Sequence, residues 1–193
     1  MSVLRIDSSA RLEGSNSRVL TQYLVEQMGL PVIERDLSKD PLPAISAEDL
    51  VDMHSSSDLP RDSLRMHSDL SGILTDELKS ADDIIIGVAM YNFGIPTVLK
   101  QWVDYVCRAG ITFKYGETGP IGLSGIKRAF IVTATGGTPI GSSMDFASTY
   151  LEFICRFIGV EEVIHIDAGG SKRTPDLVIE EGKKQIDKVL ANS

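Results

Sequence analysis

"DDIIIGVAMYNFGIPTVLKQW", residues 82–102, decides how this chain folds. Asp83–Ala89 is apolar at successive positions from Ile84 onward, so a strand here is buried on both faces, as a central strand of a parallel sheet is. The run meets Tyr91, Asn92, Phe93 and Gly94, and Pro96 then opens a helix. That helix carries Val98, Leu99, Trp102, Val103 and Val106 on one face, with Gly110 as its expected stop. A plain turn at the end of the strand would be built from Gly, Asp and Ser. Two aromatics and an amide there point instead to something flat and partly polar resting on the loop.

Working outward, a strand is expected at Val3–Asp7, a second at Pro31–Ser38, a fourth in "KRAFIVTATGG" (127–137) and a fifth in "EVIHIDAGG" (162–170). Between them the helical period places helices at Ser17–Met28, stopped by Gly29, at Arg61–Ser80, at Asp145–Ile158 and at Thr174–Leu190. The expected inward positions are Val19, Leu20, Tyr23, Leu24 and Met28 in the first of these helices. They are Leu70, Ile73, Leu74, Leu78 and Ala81 in the second, and Phe146, Tyr150, Leu151, Ile154 and Phe157 in the third. Residues 39–60, rich in Pro, Ser and Asp with a weak helical patch near Ala47–Met53, read as a lid-like excursion. Residues 111–123, "ITFKYGETGPIGL", read as a hairpin or flap. No repeat or linker divides the chain, so residues 1–193 form a single domain. Alternating strands and helices imply an α/β fold: a doubly wound five-stranded parallel sheet of flavodoxin-like order 2-1-3-4-5, with helices on both faces. Ligands of such sheets sit beyond the carboxyl ends of the strands, so the loops after strands one, three and four should line one site.

Composition narrows the function. The formal charge is −8 and no run of Lys or Arg occurs, which argues against nucleic acid or an anionic membrane as partner. No segment approaches the roughly 20 apolar residues of a membrane span, and the N-terminus lacks a signal-peptide pattern, so a cytoplasmic protein is expected. Cys107 and Cys155 form no metal or redox spacing and read as small buried residues of a reducing compartment. His54, His67 and His165 match no metal-ligand pattern, so no metal is expected.

The first loop, "SSARLEGSNSR", sets Ser9, Ser15, Asn16 and Ser17 before a helix, where hydroxyls and unpaired N–H groups suit an anion. It lacks the lysine of a Walker loop and any GxGxxG, so a phosphomonoester fits better than a triphosphate or dinucleotide; a simple N-cap is the other reading of Ser15 or Ser17. After strand four, Gly136 and Gly137 allow close backbone approach, either to the N1–O2 edge of a flavin or simply to make a strand-to-helix turn. Tyr91 and Phe93 offer planar surface and Asn92 a polar edge, the mixture an isoalloxazine ring needs; an aromatic cap on the sheet is the alternative.

These loops, with "MYNFGIPTVLKQWVDYVCRAGITFKY" (90–115) and "TATGG" (133–137), resemble the FMN-dependent NADH:azoreductases of the flavodoxin-like NAD(P)H:quinone oxidoreductases over nearly the whole chain. The resemblance implies FMN phosphate held by Ser9, Ser15, Asn16 and Ser17. It implies the ring along Met90, Tyr91, Asn92 and Phe93 and along Ala134, Thr135, Gly136 and Gly137. Phe113 and Tyr115 match a flap that approaches the substrate, a structural hairpin contact being the alternative. Many family members carry a serine and a basic residue where Ala134 and Thr135 stand, which leaves backbone contacts intact but removes a hydroxyl and a charge. The implied reaction is ping-pong transfer of a hydride from NADH or NADPH, by way of FMN, to a quinone or azo compound, two rounds being needed to cleave an azo bond. No side chain is required as a catalytic acid or base. A homodimer with FMN between subunits is also implied. The rival reading is a flavodoxin-type electron carrier without its own NAD(P)H turnover. A serine hydrolase fails for want of a GxSxG elbow.

Overall fold

The computed structural model describes residues 1–47, 49, 65–170 and 174–192. Chain order is β1 (Val3–Asp7), α1 (Asn16–Met28), β2 (Val32–Asp36), α2 (Arg65–Ser80), β3 (Asp83–Ala89) and α3 (Thr97–Val106). Then follow β4 (Phe113–Gly116), β5 (Gly119–Gly122), β6 (Arg128–Ala134), α4 (Ser148–Phe157), β7 (Glu162–Asp167) and α5 (Pro175–Leu190). Five parallel strands run in the order β2-β1-β3-β6-β7, which is the expected 2-1-3-4-5 order with the hairpin β4-β5 inserted. The chain turns to opposite sides of β1, so the crevice between the carboxyl ends of β1 and β3 is the switch point.

β3 is buried at all seven positions. Its side chains alternate between two cores, as the twofold period of a strand requires. Ile84, Ile86 and Val88 join Leu74 and Leu78 of α2, Leu99 and Trp102 of α3, and Leu151 and Ile154 of α4. Ile85 joins Leu20 and Leu24 of α1, Ile186 of α5, and Phe130 and Val132 of β6. At Gly87 no side chain fits, since a Cβ would lie 2.7 Å from Asp7 Oδ1 and 3.0 Å from Thr21 Cγ2.

Several expectations need correction. Helix α3 ends at Val106, not at Gly110: Cys107 leaves the helical conformation, and the Thr112 hydroxyl donates to the Val106 carbonyl at 2.6 Å, capping the end. Gly110 instead turns the chain into the hairpin, its N–H donating to Phe113 O at 2.7 Å. Asp145 is not helical. Its carboxylate accepts from the N–H groups of Gly141, Ala147 and Ser148 at 2.8, 3.1 and 2.9 Å, so α4 starts after it and Phe146 is left 65% exposed rather than inward. Val19 and Ile73 are likewise exposed. The second strand is shorter than expected. The lid expected over 39–60 and its helical patch lie mostly outside the described residues. No helix among the described residues is long and apolar enough to cross a membrane.

The hairpin β4-β5 is fastened to the domain by backbone proximity. A Cβ on Gly122 would lie 2.1 Å from the Gly159 nitrogen, and the Ser124 N–H donates to Ile158 O at 2.9 Å. Phe113, 7% exposed, packs its ring 4.4 Å from that of Phe157. Gly122→Ala should therefore unseat the hairpin and destabilise the protein by about 2 kcal/mol, within the usual range for overpacking. A lowered urea midpoint with faster amide exchange confined to 111–123 is the expected result.

Candidate functional site

The loops after β1, β3 and β6 meet at the switch point around a cleft of about 270 Å³. Ser9, Ser15 and Asn16 line one end, Met90 and Tyr91 the floor, and Ala134, Thr135 and Gly136 the far wall. Eight of the twelve residues expected to hold a cofactor thus share one cleft. Ser17 is fully buried behind the wall, where its hydroxyl pairs with that of Ser15 at 3.1 Å. Asn92, Phe93 and Gly137 sit on the rim beyond the cleft lining. Phe113 is buried against Phe157 of α4 and Tyr115 faces solvent, and neither lines the cleft.

At the first end, Ser15 is the N-cap of α1 but its side chain makes no cap bond. The N–H groups of Asn16, Ser17 and Arg18 have no acceptor among the described residues. Three unpaired donors at the positive end of a helix dipole make an anion site. Arg11, which sequence reasoning passed over, also lines this end and brings a full positive charge. Ala168, beyond β7, completes the wall and accepts from Asn16 Nδ2 at 3.4 Å. An arginine between Ser9 and Ser15 was a visible signal for the first; the second came from the end of a strand not credited with a site loop.

At the other end, "YNFG" forms a tight reversal. Tyr91 N–H donates to Gly94 O at 3.1 Å and Gly94 N–H returns to Tyr91 O at 3.0 Å. Asn92 and Phe93 both adopt the left-handed region, at φ 48° and 70°. This is the pattern of a type I′ turn, which ordinarily ends in glycine; Phe93 there is strained. Two backbone bonds from other loops hold the turn: Met90 N–H to Ala134 O at 2.9 Å, and Phe146 N–H to Phe93 O at 3.1 Å. The N–H groups of Asn92, Phe93, Gly136 and Gly137 lack acceptors among the described residues. The Thr135 hydroxyl is used within its own loop, donating to Thr138 O at 2.9 Å.

Behind the first loop lies a charged cluster. Arg18 grips Asp36 with two bonds, 2.6 and 2.8 Å, and Arg5 pairs with Asp7 at 2.7 Å. Burial pushes the Asp7 carboxyl above its ordinary value, against the pull of Arg5, the Thr21 hydroxyl and Arg18. Partial burial raises Asp36 as well, but the hydrogen bond and charge of Arg18, with the N–H groups of Lys39 and Ser38, hold it down to about 2.

The cleft therefore offers unpaired donors at both ends and planar surface between them, a donor set that fits a phosphate-bearing heteroaromatic such as FMN. A family model described as flavodoxin-like fold matches residues 1–190. FMN-dependent NADH:quinone oxidoreductase 1 of Hahella chejuensis is 40% identical over 189 residues, covering 95% of this chain and 92% of that protein. The chain belongs to this flavodoxin-like oxidoreductase family. The protein of the same name from Colwellia psychrerythraea is 39% identical, covering 98% of this chain and all of the other. Among solved structures of the family, the azoreductase of Bacillus anthracis str. Sterne superposes with a TM-score of 0.86 at 25% identity, covering 100% of both chains.

Two outcomes test this geometry. Phe93→Gly should relieve left-handed strain, stabilising the apoprotein by about 1 kcal/mol in urea unfolding, while FMN retention falls because the ring surface is gone. Asp36 has a folded value below its unfolded one, so its contribution is complete above about pH 4 and is lost as pH falls toward 2. The stability gap between wild type and Asp36→Asn should therefore be on the order of 2 kcal/mol at pH 7 and close progressively below pH 4.

Proposed function

We propose that this chain is an FMN-dependent NAD(P)H oxidoreductase that reduces quinones and cleaves azo compounds. The observation that carries the reading is the two-ended donor set of the switch-point cleft, with a strained aromatic turn on its rim. FMN supplies the redox chemistry when bound, taking a hydride from NAD(P)H and passing two electrons to the acceptor. The protein's residues bind and orient. The N–H groups of Asn16, Ser17 and Arg18, the Ser9 and Ser15 hydroxyls and the Arg11 charge would hold the phosphate. The N–H groups of Gly136 and Gly137 would hold the ring's polar edge, with Met90, Tyr91, Asn92 and Phe93 along the ring. Ala134 and Thr135 contribute through backbone, and no side chain need move a proton. The relatives are named as oxidoreductases, which argues against the electron-carrier alternative.

The finer picture has its own support. Phe93, Met144, Phe146, Phe153 and Tyr115 are all about half exposed or more. The Phe146 N–H bond to the Phe93 carbonyl joins one pair of them, and ring contacts through Phe113 and Phe157 join Tyr115 to Phe153. Apolar surface of this extent beside a cleft suits an interface, so we take the working form to be a homodimer with FMN at the interface and the 111–123 hairpin as flap. Burial pushes the Cys107 and Cys155 thiols up to about 11 and about 12, leaving them unreactive, as suits a single domain of the cytoplasm.

The test is one anaerobic cuvette of FMN-reconstituted protein given NADH and, separately, NADPH. Loss of the visible flavin absorbance within the mixing time, restored by benzoquinone, is the expected outcome and shows which nucleotide serves. Bound flavin that neither nucleotide bleaches would overturn the enzyme reading in favour of the carrier.

A further inference from the structure

The peptide group joining Ser9 to Ala10 is held at both of its polar atoms. Its carbonyl, on Ser9, accepts from Arg18 Nη2 at 2.8 Å. Its N–H, on Ala10, donates to the Tyr91 phenol oxygen at 3.2 Å. The two holders come from different parts of the cleft: Arg18 from the first turn of α1, Tyr91 from the loop after β3. Arg18 is itself fixed. Its two-pronged bond to Asp36 and the Asp7 carboxylate 3.9 Å behind it leave its side chain 12% exposed. The helix dipole favours an acid, not a cation, in the first turn. The arginine is thus not there to complement α1; its bonds run across to β2 and to the first loop.

A peptide plane is rigid, so fixing its oxygen and its N–H fixes the whole unit. Turned over, the same unit would aim the Ser9 carbonyl oxygen into an anion site. We propose that Arg18 and Tyr91 are positioning residues that set the Ser9–Ala10 peptide, so that phosphate recognition at one end of the cleft depends on a phenol from the ring-bearing loop. The inference rests on the FMN reading above. Lysine cannot replace Arg18, because a single ammonium lacks the planar fork that serves Asp36 and Ser9 together.

The experiment is titration of the apoprotein, by quenching of flavin fluorescence, with FMN and with riboflavin, which lacks the phosphate. Tyr91→Phe keeps the ring and removes only the O–H; Arg18→Lys keeps the charge. Each should weaken FMN about tenfold while leaving riboflavin within about twofold, the scale of one lost hydrogen bond. Because both act on one peptide group, the double variant should lose clearly less than the product of the two. Tyr91 is 44% exposed, so Tyr91→Phe should leave the urea midpoint unchanged and separate positioning from folding. Equal losses for FMN and riboflavin, or losses that multiply, would overturn the proposal while leaving the flavin reading intact. Wild-type apoprotein that binds neither flavin would overturn both.

Discussion

A strand buried on both faces has nowhere to leave its chain except at its ends, and β3, buried at every position, leaves it at the switch point. Parallel pairing with β1 and β6 brings their carboxyl ends to the same edge, so three loops must share one rim. None of them can complete its backbone bonding from the sheet. Each solves the problem differently: the first runs into α1 with unpaired donors, the second folds back on itself, and the third leans on the segment after β7 through Gly170 N–H to Thr135 O at 3.1 Å. The cleft is what those solutions leave open.

The elements were legible because apolar period reports burial directly. β3 could be read from Asp83 to Ala89 since seven successive buried positions leave few alternatives. The period does not say what covers an apolar face, which is why Val19, Ile73 and Phe146, all apolar and in phase, turned out exposed. Helix ends depended on side-chain caps from residues the period ignores: Thr112 ends α3, and Asp145 starts α4. Gly110 looked like the stop because glycine is the commonest one, but the hydroxyl of Thr112, at the foot of the hairpin, caps the helix earlier.

The site was legible at the level of loops and less so at the level of contacts. Serines before a helix, aromatics after a buried strand and paired glycines after another are local signals, and all three loops do converge. The bonds that hold them together join residues far apart in sequence: Ala10 to Tyr91, Phe93 to Phe146, Met90 to Ala134. No spacing rule announces such pairs. Phe113 shows the ambiguity of a loop aromatic: the residue type that suggests a ligand equally suits packing, and its ring lies on Phe157.

Three local costs accumulate on this one rim. Phe93 sits in a conformation that glycine would adopt without strain. Helix α1 begins without a side-chain cap and with a cation in place of an acid. Large apolar rings at Phe93 and Phe146 face outward. Away from the rim the same chain follows the rules: α5 begins with Thr174 capping Leu177 and Pro at its first position, and α1 ends with Gly29 in the left-handed region. A sequence that caps α5 away from the rim and leaves α1 uncapped at it has these exceptions concentrated rather than scattered. Each exception also corresponds to one need of a phosphate-bearing planar cofactor: open N–H groups for the anion, a fixed reversal to carry the ring, and an apolar surround to exclude water. Any one of them alone would be an unremarkable defect. Their convergence at the switch point, on loops tied to one another through the Ser9–Ala10 peptide and the Phe93 carbonyl, is what makes a binding site the simpler account.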